Sequence, residues 1–285
     1  MIGKGVSAVL KKAYVEITNV CNLSCGFCRG TARPPRFLPP EEFAVIAGKL
    51  RPYTEYIYLH LLGEPLLHPQ LKEILSICKN LGFKVTIVTN GVLLDAAAGT
   101  LNECGCLYKI CYSLHAYEAN TMRISAEQYL NPIVRFAIQS AKNSVINVFK
   151  LWNGGGENTL NDLMIKILCA HLGAEPAPAK NGFALGERMY LDLADRFGWP
   201  DPGADETPPR FCMALRDQLG VLCDGTAVPC CLDAEGTLRL GNLLTDSVEE
   251  ILNSELAKRI KEGFSQGKAT ENLCRRCDFA KRKFG

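Results

Sequence analysis

The sequence contains no run of about eighteen apolar residues, which excludes a membrane-spanning helix on hydropathy. Its first residues, Met1–Lys12, hold too short an apolar stretch for a secretory signal, and Lys11-Lys12 stand on the wrong side of it. Charge of one sign is scarce as well. A net charge of +2 gives no basic footing for nucleic acid or for an anionic membrane surface. The basic run Lys281-Arg282-Lys283 reads as a solvated tail. Internal repeats and low-complexity tracts are missing too. These absences leave an ordinary globular chain, 47% hydrophobic and able to build a full core. They point to a cytoplasmic protein with neither nucleic-acid nor membrane partners.

Cysteine, in contrast, is plentiful, with fourteen in 285 residues. A chain this long and core-rich is no disulfide-stapled miniprotein, and in a reducing cytosol such spacing reads as metal binding. The densest group is Cys21-Asn22-Leu23-Ser24-Cys25-Gly26-Phe27-Cys28, directly after a strand-like run at Tyr14–Thr18. Three thiolates in one tight loop can hold three irons of a [4Fe–4S] cluster and leave the fourth open. Zinc is the alternative, although it usually takes four ligands in two separate pairs. A second group comprises Cys212, Cys223, Cys230, Cys231, Cys274 and Cys277. Four of these could saturate another cluster or form a zinc ribbon. Cys78, Cys104, Cys106 and Cys169 fall in or beside helical segments without partner spacing, and read as small buried hydrophobes.

Between the two groups, β-type runs alternate with amphipathic segments. Strands are expected at Tyr14–Thr18, Tyr56–Leu61, Lys84–Thr89, Lys109–Leu114, Ile146–Leu151 and Arg188–Leu191. Helices are expected near Glu41–Leu50, Pro69–Leu81, Leu93–Glu103, Ala126–Lys142 and Thr159–Leu172. Pro39-Pro40 ahead of Glu41-Glu42 makes a good helix start. Such alternation implies right-handed βαβ units and a parallel sheet. Six units make an α/β partial (β/α)6 barrel, with chemistry on the loops after the strand ends. The proline-rich stretch Phe197–Pro209 reads as a linker, dividing a domain of residues 1–196 from one of 211–285 across 197–210. In the second domain Asp224-Gly225 signals a hairpin between Gln218–Cys223 and Thr226–Cys231, followed by a helix at Ser247–Gly263.

CxxxCxxC with an aromatic before its last cysteine, here Phe27, resembles the signature of the radical S-adenosylmethionine (SAM) superfamily. Gly63-Glu64-Pro65 at the end of the second strand resembles that family's Gly-Gly-Glu-Pro motif, with Leu62 in place of the first glycine. The C-terminal cysteines, Pro229-Cys230-Cys231 and Leu240-Gly241-Asn242-Leu243 resemble the SPASM extension in its shortened, single-cluster twitch form. The resemblance implies a cluster on Cys21, Cys25 and Cys28 that binds SAM, with Gly63, Glu64 and Pro65 meeting the methionine amino end. It implies reductive cleavage of SAM to a 5′-deoxyadenosyl radical, hydrogen abstraction from a substrate carbon, an auxiliary [4Fe–4S] cluster, and a flavodoxin- or ferredoxin-type reductant. Asn90 and Ser113 become candidates for the ribose hydroxyls. Arg188 and the glycines after Asn153 become candidates for the cofactor carboxylate.

Residues 109, 111, 113 and 115 share one strand face, so Cys111 and His115 can point inward with His60; for each, a satisfied core residue is the commoner role. His68 reads as a helix cap. Only about thirteen residues precede the first strand, leaving no room for the winged-helix leader-binding domain that peptide-modifying relatives often carry. A small-metabolite substrate is therefore expected, with a peptide delivered by a separate protein as the alternative. A non-catalytic electron relay is a third reading, but it has no use for Gly63-Glu64-Pro65. Finally, a two-residue Asp224-Gly225 turn would pair Cys223 with Thr226, Val221 with Val228 and Leu219 with Cys230. That register selects Cys212, Cys230, Cys274 and Cys277 as auxiliary ligands, with Cys223 in reserve.

Overall fold

The computed structural model describes residues 10–120 and 122–284; the part of Met1–Lys12 up to residue 9, read as lacking a signal, lies outside them. Six strands run parallel in the order β1 (Lys12–Val15), β2 (Tyr56–Tyr58), β3 (Lys84–Thr89), β4 (Leu107–Ser113), β5 (Ile146–Gly154) and β8 (Met189–Asp195). Between the first five lie α1 (Pro40–Leu50), α2 (Leu71–Asn80), α3 (Leu94–Glu103) and α4 (Ala126–Lys142). Helix α5 (Asn161–Leu172) and a hairpin of β6 (Ala177–Ala179) and β7 (Gly182–Gly186) separate β5 from β8. Pro40 opens α1 with Glu41 and Glu42 in its first turn. A Ser125–Gln128 capping box opens α4, satisfying backbone donors that would otherwise be orphaned.

Strand alternation sorts the side chains. Ala13, Val15, Ile57, Val85, Ile87, Ile110 and Phe149 join Phe43, Ile46, Ile74 and Leu130 of the helices in the main core. The opposite, concave face carries polar and aromatic groups that line a cavity.

The sheet stays open and continues past β1. Strand β9 (Gln218–Val221) pairs parallel with β1, and β10 (Thr226–Val228) and β11 (Gly241–Asn242) extend it to eleven strands. The C-terminal segment is therefore hydrogen-bonded into the same sheet as the barrel strands.

Three expectations need correction. The sixth parallel strand is not Arg188–Leu191 but Met189–Asp195, because the β6–β7 hairpin occupies the preceding residues. The segment Ser247–Gly263 holds two helices, α6 (Val248–Leu252) and α7 (Glu255–Ser265), because Ser254 acts as a second N-cap. The hairpin register is one residue off: Val221 pairs with Ala227 and Gly220 with Val228. Its loop has three residues, with Gly225 N–H donating to Leu222 and Gly225 at φ +83°, the turn-plus-bulge form that also favours Asp-Gly. The chain ends in α8 (Asn272–Arg275) and α9 (Asp278–Phe284).

Candidate active site

The cysteine loop leaves the C-terminal end of β1, and the ends of the neighbouring strands close around it. Asn120 Nδ2 lies 3.0 Å from Cys25 Sγ while its Oδ1 accepts from Ser24 N–H at 3.0 Å. Asn90 Nδ2 donates to Asn22 Oδ1 at 2.8 Å and lies 3.9 Å from Cys21 Sγ. Cys28 N–H closes a turn onto Cys25 O at 3.0 Å. Cys21 and Cys28 are exposed and Cys25 is half-buried. Burial pushes the Cys21 and Cys25 thiols above their ordinary value, against lowering by the Leu23 backbone and by Asn120 respectively.

Gly63-Glu64-Pro65 packs beneath the loop. Gly63 has φ +73°, and a Cβ there would collide with the carbonyl oxygens of Thr18 and Val20, so only glycine fits without a shift. Glu64 is buried. Its Oε1 accepts from Thr89 Oγ1 at 2.7 Å and Leu66 N–H at 3.1 Å, and its Oε2 from Asn90 N–H at 2.7 Å. A carboxylate offers about four acceptor positions, which leaves one on Oε2. Burial raises its pKa to about 7 despite these three donors.

Phe27 packs against His115 in a tilted arrangement, with ring centroids 4.6 Å apart. His115, held 3.1 Å from Lys150 O, is kept neutral by burial, with its pKa lowered to about 4. Ser113, Cys111 and His60 also face the cavity. His68 is instead spent on structure: its Nε2 meets Leu38 O at 3.0 Å and its Nδ1 accepts from Gln70 N–H at 3.1 Å.

Arg188 does not join the site. It sits in the β7–β8 turn, where its carbonyl accepts from Asn147 N–H near the start of β5, at the end of the sheet opposite the cysteine loop. The arginine that reaches the loop is Arg196, just past the end of β8, with Nη2 3.3 Å from Gly26 O and its own N–H on Gly154 O. Its sequence signal is its position after a strand that the sequence places too early. The proline-rich segment also turns inward. Trp199 Nε1 donates to Phe27 O at 3.1 Å, and Arg29 donates to Pro200 O at 2.6 Å.

Cys212, Cys230, Cys274 and Cys277 line one small cavity with Leu238, Phe264 and Leu273. Burial pushes all four thiols up, Cys277 to about 11. Their conversion to thiolates therefore needs a cationic centre beside them. Cys223 is elsewhere: its Sγ lies 3.6 Å from Arg33 Nη1 and its N–H donates to Glu16. It is no reserve ligand. Cys231 packs on the Tyr14–Leu61–Leu222–Val228 cluster. Among the described residues no three Cys, His, Asp or Glu side chains approach closely enough to hold a single metal ion, as thiolates about 2.3 Å from one zinc would have to.

One ion pair that the sequence does not reveal joins the two halves. Arg33 donates to fully buried Glu16 at 2.8 Å and to Ala234 O at 2.8 Å, while Glu16 also accepts from Leu62 N–H. Between the two thiol groups lies a cavity of about 1010 Å³, reaching from Phe27 to Cys212 and Cys230. No helix among the described residues is long and apolar enough to cross a membrane.

Comparison with known proteins agrees with this geometry. The radical SAM superfamily model matches residues 15–163, and a SPASM iron–sulfur cluster-binding domain matches 212–278. A probable GTP 3′,8-cyclase of Sulfurisphaera tokodaii is 37% identical over 107 residues, covering 36% of this chain and 34% of that protein. The GTP 3′,8-cyclase of Aquifex aeolicus is 36% identical over 122 residues, covering 39% and 37%. The chain thus spans little more than a third of the length of these relatives. Among solved structures, BtrN in complex with AdoMet and 2-DOIA superposes with a TM-score of 0.62 at 17% identity, over 94% of this chain and 93% of that one. Streptococcus suis SuiB bound to S-adenosylmethionine gives 0.62 at 15%, over 95% and 72%. At such identities the likeness is one of fold. With one family model covering over half of the chain and the other its cysteine-rich end, the protein belongs to the radical SAM superfamily, as an enzyme that uses a [4Fe–4S] cluster and SAM and carries a SPASM iron–sulfur domain.

Proposed function

We propose that this enzyme abstracts hydrogen from a small-molecule substrate held in the cavity between its two cysteine groups. Cys21, Cys25 and Cys28 are assigned to the SAM-binding cluster, and Cys212, Cys230, Cys274 and Cys277 to the auxiliary one. The observation that carries this is the cavity, about 1010 Å³ and bounded by Phe27 of the first group's loop and by Cys212, Cys230 and Cys277 of the second. That size is at the upper end of small-molecule sites and accommodates a nucleoside cofactor with a modest substrate. The match of residues 212–278 to an iron–sulfur cluster-binding domain favours multi-iron clusters over zinc.

When bound, the first cluster and SAM supply one-electron cleavage of a sulfonium and hydrogen abstraction from carbon. The chain's own residues prepare the site. Asn90 and Asn120 fix the loop, and Glu64, with one acceptor position left on Oε2, would take the cofactor's ammonium. Phe27, His115 and Trp199 wall the cavity with apolar surface that excludes water. The exposed Cys21 and Cys28 leave one side of the loop open to a flavodoxin- or ferredoxin-type reductant. Relatives named for GTP cyclisation and a fold neighbour holding 2-DOIA support a small metabolite; SuiB bound to precursor peptide SuiA keeps a peptide as the rival.

The assignment is tested by replacing Cys21, Cys25 and Cys28 with Ala. 5′-Deoxyadenosine formation under dithionite should vanish, and undiminished cleavage in that variant would refute it.

A further inference from the structure

The cavity is far more cationic than the chain. Seven Lys and Arg side chains line it against two Asp, in a protein whose net charge is only +2. One of those acids, Asp217, is taken by Lys11 at 2.7 Å. Three lysines project from the concave face of three strands: Lys12 on β1, Lys109 on β4 and Lys150 on β5. Each is half-buried, and none has a carboxylate at ion-pair distance among the described residues. Asp192, Lys150's neighbour across the β5–β8 ladder, stays outside that distance. Burial, then repulsion from Lys109 and Lys150, lowers the Lys12 pKa, although Cys231 and Asp217 oppose this. The Lys12 ammonium therefore feels both of the other two.

Two neutral groups of the same cavity are left wanting. Trp152 Nε1 and His60 Nδ1 are buried without a hydrogen-bond partner. Trp152 can only donate, so it needs an acceptor. Lys150 Nζ lies 4.0 Å from the centroid of the Trp152 ring, and Lys12 Nζ 5.1 Å and 5.2 Å from those of Tyr14 and Tyr58. The aromatic faces offset part of the stacked positive charge without supplying an anion.

We propose that Lys12, Lys109 and Lys150, with Trp152 Nε1 and His60 as neutral donors, form a phosphate-binding subsite that seats the phosphate of a phosphorylated small-molecule substrate. Lys12 opens β1 and Lys109 lies early in β4, whereas Lys150 and Trp152 lie from the middle of β5 onward and His60 follows the end of β2, so the subsite runs along the cavity's concave wall. Phosphate is favoured over carboxylate by donor type. Planar carboxylates suit the fork of arginine, whereas lysine acts as a point charge, and three point charges suit a group with three outward acceptor oxygens. The proposal rests on the reading that the cavity holds a small substrate.

Anaerobically reconstituted wild-type protein, titrated with inorganic tripolyphosphate by calorimetry, should show one site. Lys109→Gln and Lys150→Gln should each weaken it at least ten-fold, while Lys150→Arg and the exposed-helix variant Lys72→Gln keep wild-type affinity. Iron content reports whether each variant has folded, and Lys12→Gln replaces any that has not. Citrate should bind at least ten-fold more weakly. Absence of wild-type binding, undiminished binding in the Gln variants, or citrate matching tripolyphosphate would each overturn the subsite. 5′-Deoxyadenosine formation is followed in the same wild-type preparation. Its failure would refute the proposed reaction, while the titration still decides the subsite.

Discussion

The two cysteine groups occupy opposite surroundings. Cys21 and Cys28 are exposed and Cys25 half-buried, in a loop braced by the side chains of Asn90 and Asn120. Cys277 is buried and Cys212, Cys230 and Cys274 half-buried, against Leu238, Phe264 and Leu273. The first group supplies three thiols and an open side, the arrangement for exchanging a ligand and receiving an electron. The second supplies four in an apolar setting, the arrangement for a saturated centre shielded from solvent. Donor number and burial thus assign different work to the same element.

The comparison breaks most visibly if the second group is not a cluster site. Reconstituted wild-type protein should hold about eight irons, as two clusters of the four-iron type require. Replacing Cys274 and Cys277 together with Ala should bring this to about four. SAM cleavage should persist while substrate turnover is lost. Unchanged iron, or zinc in place of the missing irons, would remove the second cluster from the account.

A smaller effect is expected where the two regions are tied together. Arg33 leaves the cysteine loop's trailing segment to pair with fully buried Glu16 and to hold Ala234 O. Arg33→Met would strand that carboxylate, and breaking a buried pair from one side costs about 3–5 kcal/mol. Denaturant unfolding should show a loss of that order. The double variant Arg33→Met, Glu16→Gln should recover part of it, since no bare charge is left buried. A loss below about 1 kcal/mol in the single variant would show the pair to be solvated, as surface pairs are.

Much of this organisation was legible in the chain. The first five parallel strands are apolar runs followed by amphipathic helices, and the local pattern suffices. Local pattern fails where a choice depends on distant residues. Asp224-Gly225 suits both a two-residue and a three-residue loop, and the pairing of β9 with β1 and β10 fixes the longer one. The glycines at 182 and 186 belong to a hairpin that displaces the last parallel strand, so Arg188 falls at the wrong end and Arg196 goes unnoticed. Asn120 reaches Cys25 across 95 residues, and the Arg33–Glu16 pair has no spacing signature. Lys109 could be placed inward by alternation, but that it shares a cavity with Lys12 and Lys150 is visible only once the sheet has curved.

The finest test concerns the adjacent thiols Cys230 and Cys231. A slip of one residue along a continuous strand exchanges the faces of neighbouring side chains, and β9 and β10 are slipped relative to a two-residue turn. Yet Cys230 still lines the cavity of Cys212, Cys274 and Cys277. The reason is Pro229. Strand β10 ends at Val228, because proline cannot donate to the ladder, and beyond it face alternation no longer governs direction. Cys231 turns instead toward Tyr14 and Lys12, which lower its thiol against the larger effect of burial. Cys230→Ala should therefore weaken or abolish the auxiliary cluster's paramagnetic signal after reduction, and Cys231→Ala should leave signal and iron content unchanged. Loss in Cys231→Ala alone would mean that the chain after Pro229 continues as a strand and that the buried thiol group is assembled from the other face.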